Sequence, residues 1–363
     1  MIARTIGAVV STALIAGTIA AGQAPKTPSF QADPFWPAPL PHHWYMGAVS
    51  SVSIDTHDHI WVLHRPRSLD VRERGLELGN SRCCVAAPPI LEFDRNGQML
   101  QGWGGPGATS EWLGKTGNEH GIFVDRHDHI WVTEANGQGN VVLKFSRSGQ
   151  LLLTLGELGK TGGSNDTRLL GAPANVAVDT DANEVYVADG YINRRIIVFD
   201  ATTGAYKRHW SAYGTRPDDL PLGAYDPLAA PRKQFAPPVH CVRISRDGLL
   251  YVCDRSNNRI QIFRKNGTFV SEFAVEKDTR DLGPVCDVAF SRDPAQAFLY
   301  IADCANDTIH IVLRAESRVV GAFGRKGRHA GEIYGPHYLD VDSSGNIYVA
   351  EVFGRRLQKF IYR

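Results

Sequence analysis

The sequence predicts an all-β chain folded as a six-bladed β-propeller. Three observations carry this. A unit of one short alternating strand, a polar turn and an aromatic-led second strand recurs six times. A third strand with a basic residue and a closing aromatic usually follows, and in most copies a fourth after a glycine turn. No stretch sustains a helical period. Six units of four antiparallel strands make a propeller.

Taken in chain order, residues 1–24 stand apart. Arg4 precedes the apolar run IGAVVSTALIAGTIAAGQA, which reads as a secretory signal peptide cut near 20–24, with an uncleaved anchor as the alternative. The run is short for a membrane span, and nothing later resembles one. The expectation is a secreted or periplasmic protein whose residues 25–363 form the propeller. The segment around 33–46 is expected to add the strand that the last unit lacks, closing the ring and hiding its edges.

The six copies read VSSVSIDTHDHIWVLHR, HGIFVDRHDHIWVTEA, ANVAVDTDANEVYVADGY, HCVRISRDGLLYVCDR, CDVAFSRDPAQAFLYIADC and HYLDVDSSGNIYVAEV. Their second strands open on Trp61, Trp131, Tyr186, Tyr251, Tyr300 and Tyr348. Third strands are NRRIIVF, NNRIQIF and RRLQKF; fourth strands follow turns such as DRNGQ, SRSGQ and KNG. Inserts at 66–88, 104–118, 156–171 and 211–236 are rich in glycine, proline and charge and read as loops on one face.

Composition narrows the partners. The formal net charge is +1, with no basic run or stripe, which argues against nucleic acid and anionic membrane surfaces. Six cysteines in an exported chain permit disulfides. Cys241/Cys253 and Cys286/Cys304 are each close within a repeat and form plausible pairs. The adjacent Cys83 and Cys84 read as free thiols or an irregular loop.

Function emerges from columns of the repeat. The first strands end at Asp55, Asp125, Asp179, Ser245, Ser291 and Asp342, and five residues earlier stand Ser50, His120, Ala174, His240, Cys286 and His337. Histidine occupies alternate units only. First strands line the central channel, so His120, His240 and His337 should converge on the axis, three imidazoles with a fourth position open, as in a catalytic zinc site. Any one of them alone is more often a satisfied structural residue. The HDH turns of units one and two (His57, His59, His127, His129) fall on the far face and read as turn chemistry, with Asp58 and Asp128 bonding local amides. A second metal site there is the alternative. A further column just past the second strands offers Arg65, Tyr191 and Arg255 at the channel mouth. Two guanidiniums and a phenol beside a Lewis acid suit an anionic substrate, with the phenol as a base. The plainer reading pairs these residues with blade acids such as Asp189 and Asp254.

At these residues the sequence resembles a known family. YVADGYINRRIIVF and YVCDRSNNRIQIF look like NHL repeats. The order VLHR, EHG, ADGY-x-N-x-R, PVHC…CDR, GPHY is similar to the peptidyl-α-hydroxyglycine α-amidating lyases over roughly residues 45–363. The resemblance implies a six-bladed propeller with a channel zinc on His120, His240 and His337, a catalytic tyrosine at Tyr191 and active-site arginines at Arg65 and Arg255. It implies cleavage of a carbinolamide C–N bond to an amide and glyoxylate. Departures matter. The family's calcium-ligating aspartate is replaced by Tyr338, which puts calcium in doubt, and a family cysteine is replaced by Ile192. The copper monooxygenase that accompanies the animal enzymes is not in this sequence, which widens the expected substrate from peptides to other small anionic carbinolamides. The alternative is an NHL propeller that binds a ligand or protein without catalysis. A lactonase-type hydrolase is weaker, because that chemistry calls for a carboxylate set.

Overall fold

A computed structural model describes residues 25–105, 112, 118–135, 138–280 and 282–363. The signal-like segment and most of the second insert lie outside the described residues. Six four-stranded antiparallel sheets form the blades. Blade 1 is Ala48–Ile54, Ile60–Arg65, Ile90–Phe93 and Met99–Trp103. Blades 2 to 5 begin at the inner strands Glu119–Val124, Pro173–Asp179, Val239–Ile244 and Val285–Phe290. Blade 6 runs Pro336–Val341, Ile347–Glu351 and Arg356–Tyr362. Each inner strand packs on the next, and the sixth returns to the first, closing the circle around the channel.

The ring is latched by an N-terminal strand, slightly earlier than the sequence suggests. Phe30–Asp33 pairs antiparallel with Tyr362–Lys359 as the outer strand of blade 6. Phe30 is the reason, since its ring meets Tyr300, Phe323 and Tyr362 at centroid distances of 5.4, 4.8 and 5.9 Å. The following residues descend instead to blade 1. Trp36 is buried against Phe93 and Tyr348, and Trp44–Tyr45 pairs in parallel with Val85–Ala86.

Between blades, aromatic-led second strands fill the core. Trp131, Val142 and Leu155 of blade 2 pack with Val185 and Val187 of blade 3. In blades 1, 2 and 6 the acid that closes the first strand organises the turn below it. Asp55 Oδ1 accepts the amides of His57 and His59, and its Oδ2 accepts Trp61 Nε1 at 3.1 Å. Asp125 repeats this with His127, His129 and Trp131. Asp342 Oδ1 accepts the amides of Ser344 and Asn346. The HDH turns are thus turn chemistry, but the residues holding the local amides are Asp55 and Asp125. Asp58 instead accepts the amide and hydroxyl of Ser343 on blade 6 and pairs with Arg95. Asp58 and Asp128 occupy the left-handed position of the turn, at φ 61° and 58°.

Two cysteine pairs are as expected. Cys241–Cys253 joins ladder partners in blade 4, and Cys286–Cys304 ties the start of blade 5 to the turn after its second strand. Cys83 and Cys84 lie side by side in an irregular loop, one of the two readings their adjacency allowed. Their loop folds back so that both carbonyls face the amide of Leu76.

Candidate metal centre

One irregularity, repeated six times, builds the centre. In every blade the pairing of first and second strands slips at the same place, around Ser50, His120–Gly121, Ala174, His240, Cys286 and His337. A β-bulge leaves its extra residue out of the ladder, bends the strand and re-aims the side chain. The column that the sequence picks out is therefore a ring of bulges at the channel mouth. Where the bulged residue is histidine, its imidazole turns to the axis. Where it is not, its carbonyl is free to accept a hydrogen bond.

Those carbonyls are used. His120 Nδ1–H donates to Ala174 O at 2.8 Å, His240 Nδ1–H to Cys286 O at 2.6 Å, and His337 Nδ1–H to Ser50 O at 2.6 Å. Each even-numbered blade supplies an imidazole, and the following odd-numbered blade aims it. This leaves every Nε2 lone pair facing inward, the arrangement by which backbone carbonyls orient metal-bound histidines. One nitrogen from each ring lies within 4.8 Å of the others, and all three rings are buried. Burial pulls each imidazole's pKa down, His337 to about 3, so all three are neutral near pH 7. His240 Nε2 is buried with no hydrogen-bond partner. A buried orphan acceptor is costly unless something binds it. Three neutral nitrogens facing one point fit a divalent cation.

The structure brings the tyrosine and both arginines to the same mouth. Tyr191 donates its hydroxyl to His120 Nε2 at 3.0 Å. Arg255 Nη1 lies 3.5 Å from that hydroxyl, its guanidinium carbon is 5.7 Å from the Tyr191 ring centre, and its Nε is buried without a partner. Arg65 Nε donates to Glu119 O at 2.8 Å, beside His120, and burial pushes its pKa down. Asp189 and Asp254 do not neutralise these residues. They are taken by the third-strand arginines of their own blades, with Arg195 Nε on Asp189 at 2.9 Å and Arg259 Nε on Asp254 at 2.7 Å. The remaining guanidinium donors hold the inserts. Arg195 donates to the carbonyls of Ser164, Asp166 and Leu169, and Arg259 to that of Arg232. The inserts are thereby anchored at the ends of the second strands, on the mouth side.

Sequence reasoning missed the floor of the centre. Tyr338 is fully buried, stacked on His240 at 5.3 Å, and its hydroxyl lies within reach of both Ala174 O at 3.0 Å and His240 O at 2.8 Å. At this position, where calcium was in doubt, a phenol stands in place of a carboxylate. Its place directly after His337 in the bulge column was the available signal. The other groups able to share an ion, Asp125 with His127 and His129 and two sets around Asp55, sit at the turns already described, with Asp55 and Asp125 holding amides and indoles.

The chain is similar to several known proteins. Residues 239–263, which include His240 and Arg255, match the NHL repeat. The chain is similar to peptidyl-alpha-hydroxyglycine alpha-amidating lyase 1 of Drosophila melanogaster, 27% identical over 348 residues, covering 90% of this chain and 59% of that protein. It is also similar to NHL repeat-containing protein 3 of Mus musculus, 26% identical and covering 93% of this chain and 85% of the other. Among solved structures, a streptogramin B lyase shares the fold, with a TM-score of 0.55 at 14% identity, covering 94% of this chain and 100% of that one. Among the described residues no helix is long and apolar enough to cross a membrane.

Proposed function

We propose that this protein is a zinc-dependent lyase that cleaves the C–N bond of an α-hydroxyglycine-type carbinolamide, releasing an amide and glyoxylate. The observation that carries the reading is the meeting of three inward Nε2 atoms with the Tyr191 hydroxyl and Arg255 at one point. His120, His240 and His337 would hold the ion, which when bound supplies a Lewis acid that makes a nearby hydroxyl easier to deprotonate. Arg65 and Arg255 bind the substrate carboxylate and orient the carbinol carbon. Tyr191, which enters the step as the phenolate with Arg255 beside it and its own proton already given up, takes the hydroxyl proton. The O–H electron pair becomes the aldehyde π bond, the C–N pair leaves with nitrogen, and Tyr191 returns the proton to that nitrogen. No electrons are gained or lost overall. The likeness to the fly lyase supports this chemistry. The paired cysteines and the signal-like N-terminus support an exported location.

The likeness to NHL repeat-containing protein 3 over most of both chains favours a second reading, a binding propeller without turnover. Elemental analysis and a glyoxylate assay with α-hydroxyhippurate separate the two. The lyase reading expects about one zinc per chain, its loss in His240→Ala, and glyoxylate release by the wild type. A stably folded, metal-free protein that releases none supports the binding module.

A further inference from the structure

The three carbonyls that aim the imidazoles belong to bulged residues, which stand outside their own ladders and need another tie. Each has one, and the three ties differ. Ala174 O accepts the Thr133 hydroxyl of blade 2 at 2.8 Å and lies 3.0 Å from that of Tyr338. Ser50 donates its hydroxyl to Leu63 O, on the second strand of its own blade, at 3.2 Å. Cys286 is tied covalently, through Cys304 just past the second strand of blade 5. The bridge stands at the wall of the centre. Cys286 Sγ lies 3.9 Å from Arg255 Nη1, the nitrogen nearest the Tyr191 hydroxyl. Cys304 is partly exposed, whereas Cys241, Cys253 and Cys286 are fully buried, so solvent reaches this bridge before the one in blade 4.

We propose that the Cys286–Cys304 disulfide is a positioning element of the metal centre, holding in place the carbonyl that aims His240. This rests on the metal-binding part of the lyase reading and not on its substrate. His240 Nδ1–H has that one carbonyl as its partner, at 2.6 Å. Opening the bridge leaves Cys286 on a bulge without its tie, the carbonyl shifts, and the imidazole loses the orientation that turns Nε2 inward. The other two imidazoles keep their own ties, so the loss falls on one ligand of three.

The test measures zinc affinity by chelator competition, well below the thermal midpoint of the metal-free protein, in the wild type, in Cys286→Ala/Cys304→Ala and in Cys286→Ser/Cys304→Ala. The alanine pair should bind zinc about tenfold or more weakly. The serine pair should recover most of that affinity, because a hydroxyl at 286 can donate to Ala302 O as Ser50 donates to Leu63 O at the same place in the repeat. A bridge that only stabilises the fold predicts otherwise, since neither variant restores a covalent link. Affinities within about twofold across the three proteins overturn the positioning role, and so does a loss that the serine pair does not recover. If the alanine pair does not fold, phosphine reduction opens the same bond in the folded wild type. The phosphine is oxidised to its oxide, and water supplies the oxygen and both thiol protons. Zinc affinity should fall as the Cys304 thiol appears, and unchanged affinity overturns the proposal. Tight zinc without glyoxylate release overturns the lyase reading alone and leaves the bridge to be judged on affinity. A wild type that binds no zinc overturns both.

Discussion

At the scale of single residues, each group at the centre has a distinct task, and substitution separates them. On the proposed lyase reading, Tyr191→Phe removes the proton acceptor but no metal ligand, so zinc content should hold while turnover falls by at least about a hundredfold. Full activity in that variant removes Tyr191 from the base role. Tyr338→Phe should act differently. The Ala174 carbonyl accepts from His120, Thr133 and Tyr338, so losing the phenol loosens the group that aims His120. Zinc affinity, measured by competition with a chelator, should weaken by about tenfold or more, and unchanged affinity would assign Tyr338 to packing alone. His64 shows the contrasting, purely structural histidine. It is buried, accepts from the Gly47 amide and donates to Pro88 O, and burial depresses its pKa to about 4. Above pH 6.5 it is neutral in both folded and unfolded chains and contributes no pH dependence. Between 6.5 and 4 only the unfolded chain takes up the proton, so stability falls as pH drops. His64→Gln should reduce the stability lost between pH 7 and pH 4.5 by about 2 kcal/mol, read from urea midpoints.

At the scale of elements, the repeated pair of a second-strand acid and a third-strand base decides where the loops go. Asp189 accepts Arg195 Nε, Asn193 Nδ2 and the Gly171 amide, and both ion-pair partners are fully buried. Arg195→Met strands a buried carboxylate and should cost about 3–5 kcal/mol in denaturant unfolding, while pairing it with Asp189→Asn should recover part of that. A cost near zero would mean that Asp189 finds another partner. This scale also shows what the sequence hides. Strand alternation and turn residues located all six first strands. The column at 50, 120, 174, 240, 286 and 337 was legible because identical spacing carries positional meaning. The bulges were not, since they are a property of pairing between strands and leave no local composition signal. For the same reason the turn amides fell to Asp58 and Asp128 on paper and to Asp55 and Asp125 in the fold. Only the backbone path shows that the left-handed residue turns its carboxylate away from its own turn, Asp58 toward Ser343 of blade 6.

At the scale of the whole molecule, the ring depends on four residues near its N-terminus. Phe30–Asp33 covers the exposed edge of Arg356–Tyr362. Deleting residues 25–33 should leave that edge open, lower the thermal midpoint and produce self-association that grows with concentration, measured by light scattering. A monomer of unchanged midpoint would show that blade 6 is stable with three strands. The sequence could place the closing strand only approximately, because its register is set by Phe30 meeting aromatics from blades 5 and 6, residues some 270 or more positions away.

The division of labour among the bulges reaches further. Three sectors of the circle present imidazoles and the other three aim them, so on the proposed reading a bound cation would answer to every member at once. Hoop and occupant are then thermodynamically coupled. Saturating zinc should raise resistance to unfolding in step with its own affinity, and a chain unfastened at its N-terminal clasp should surrender the ion well before its individual sheets come apart.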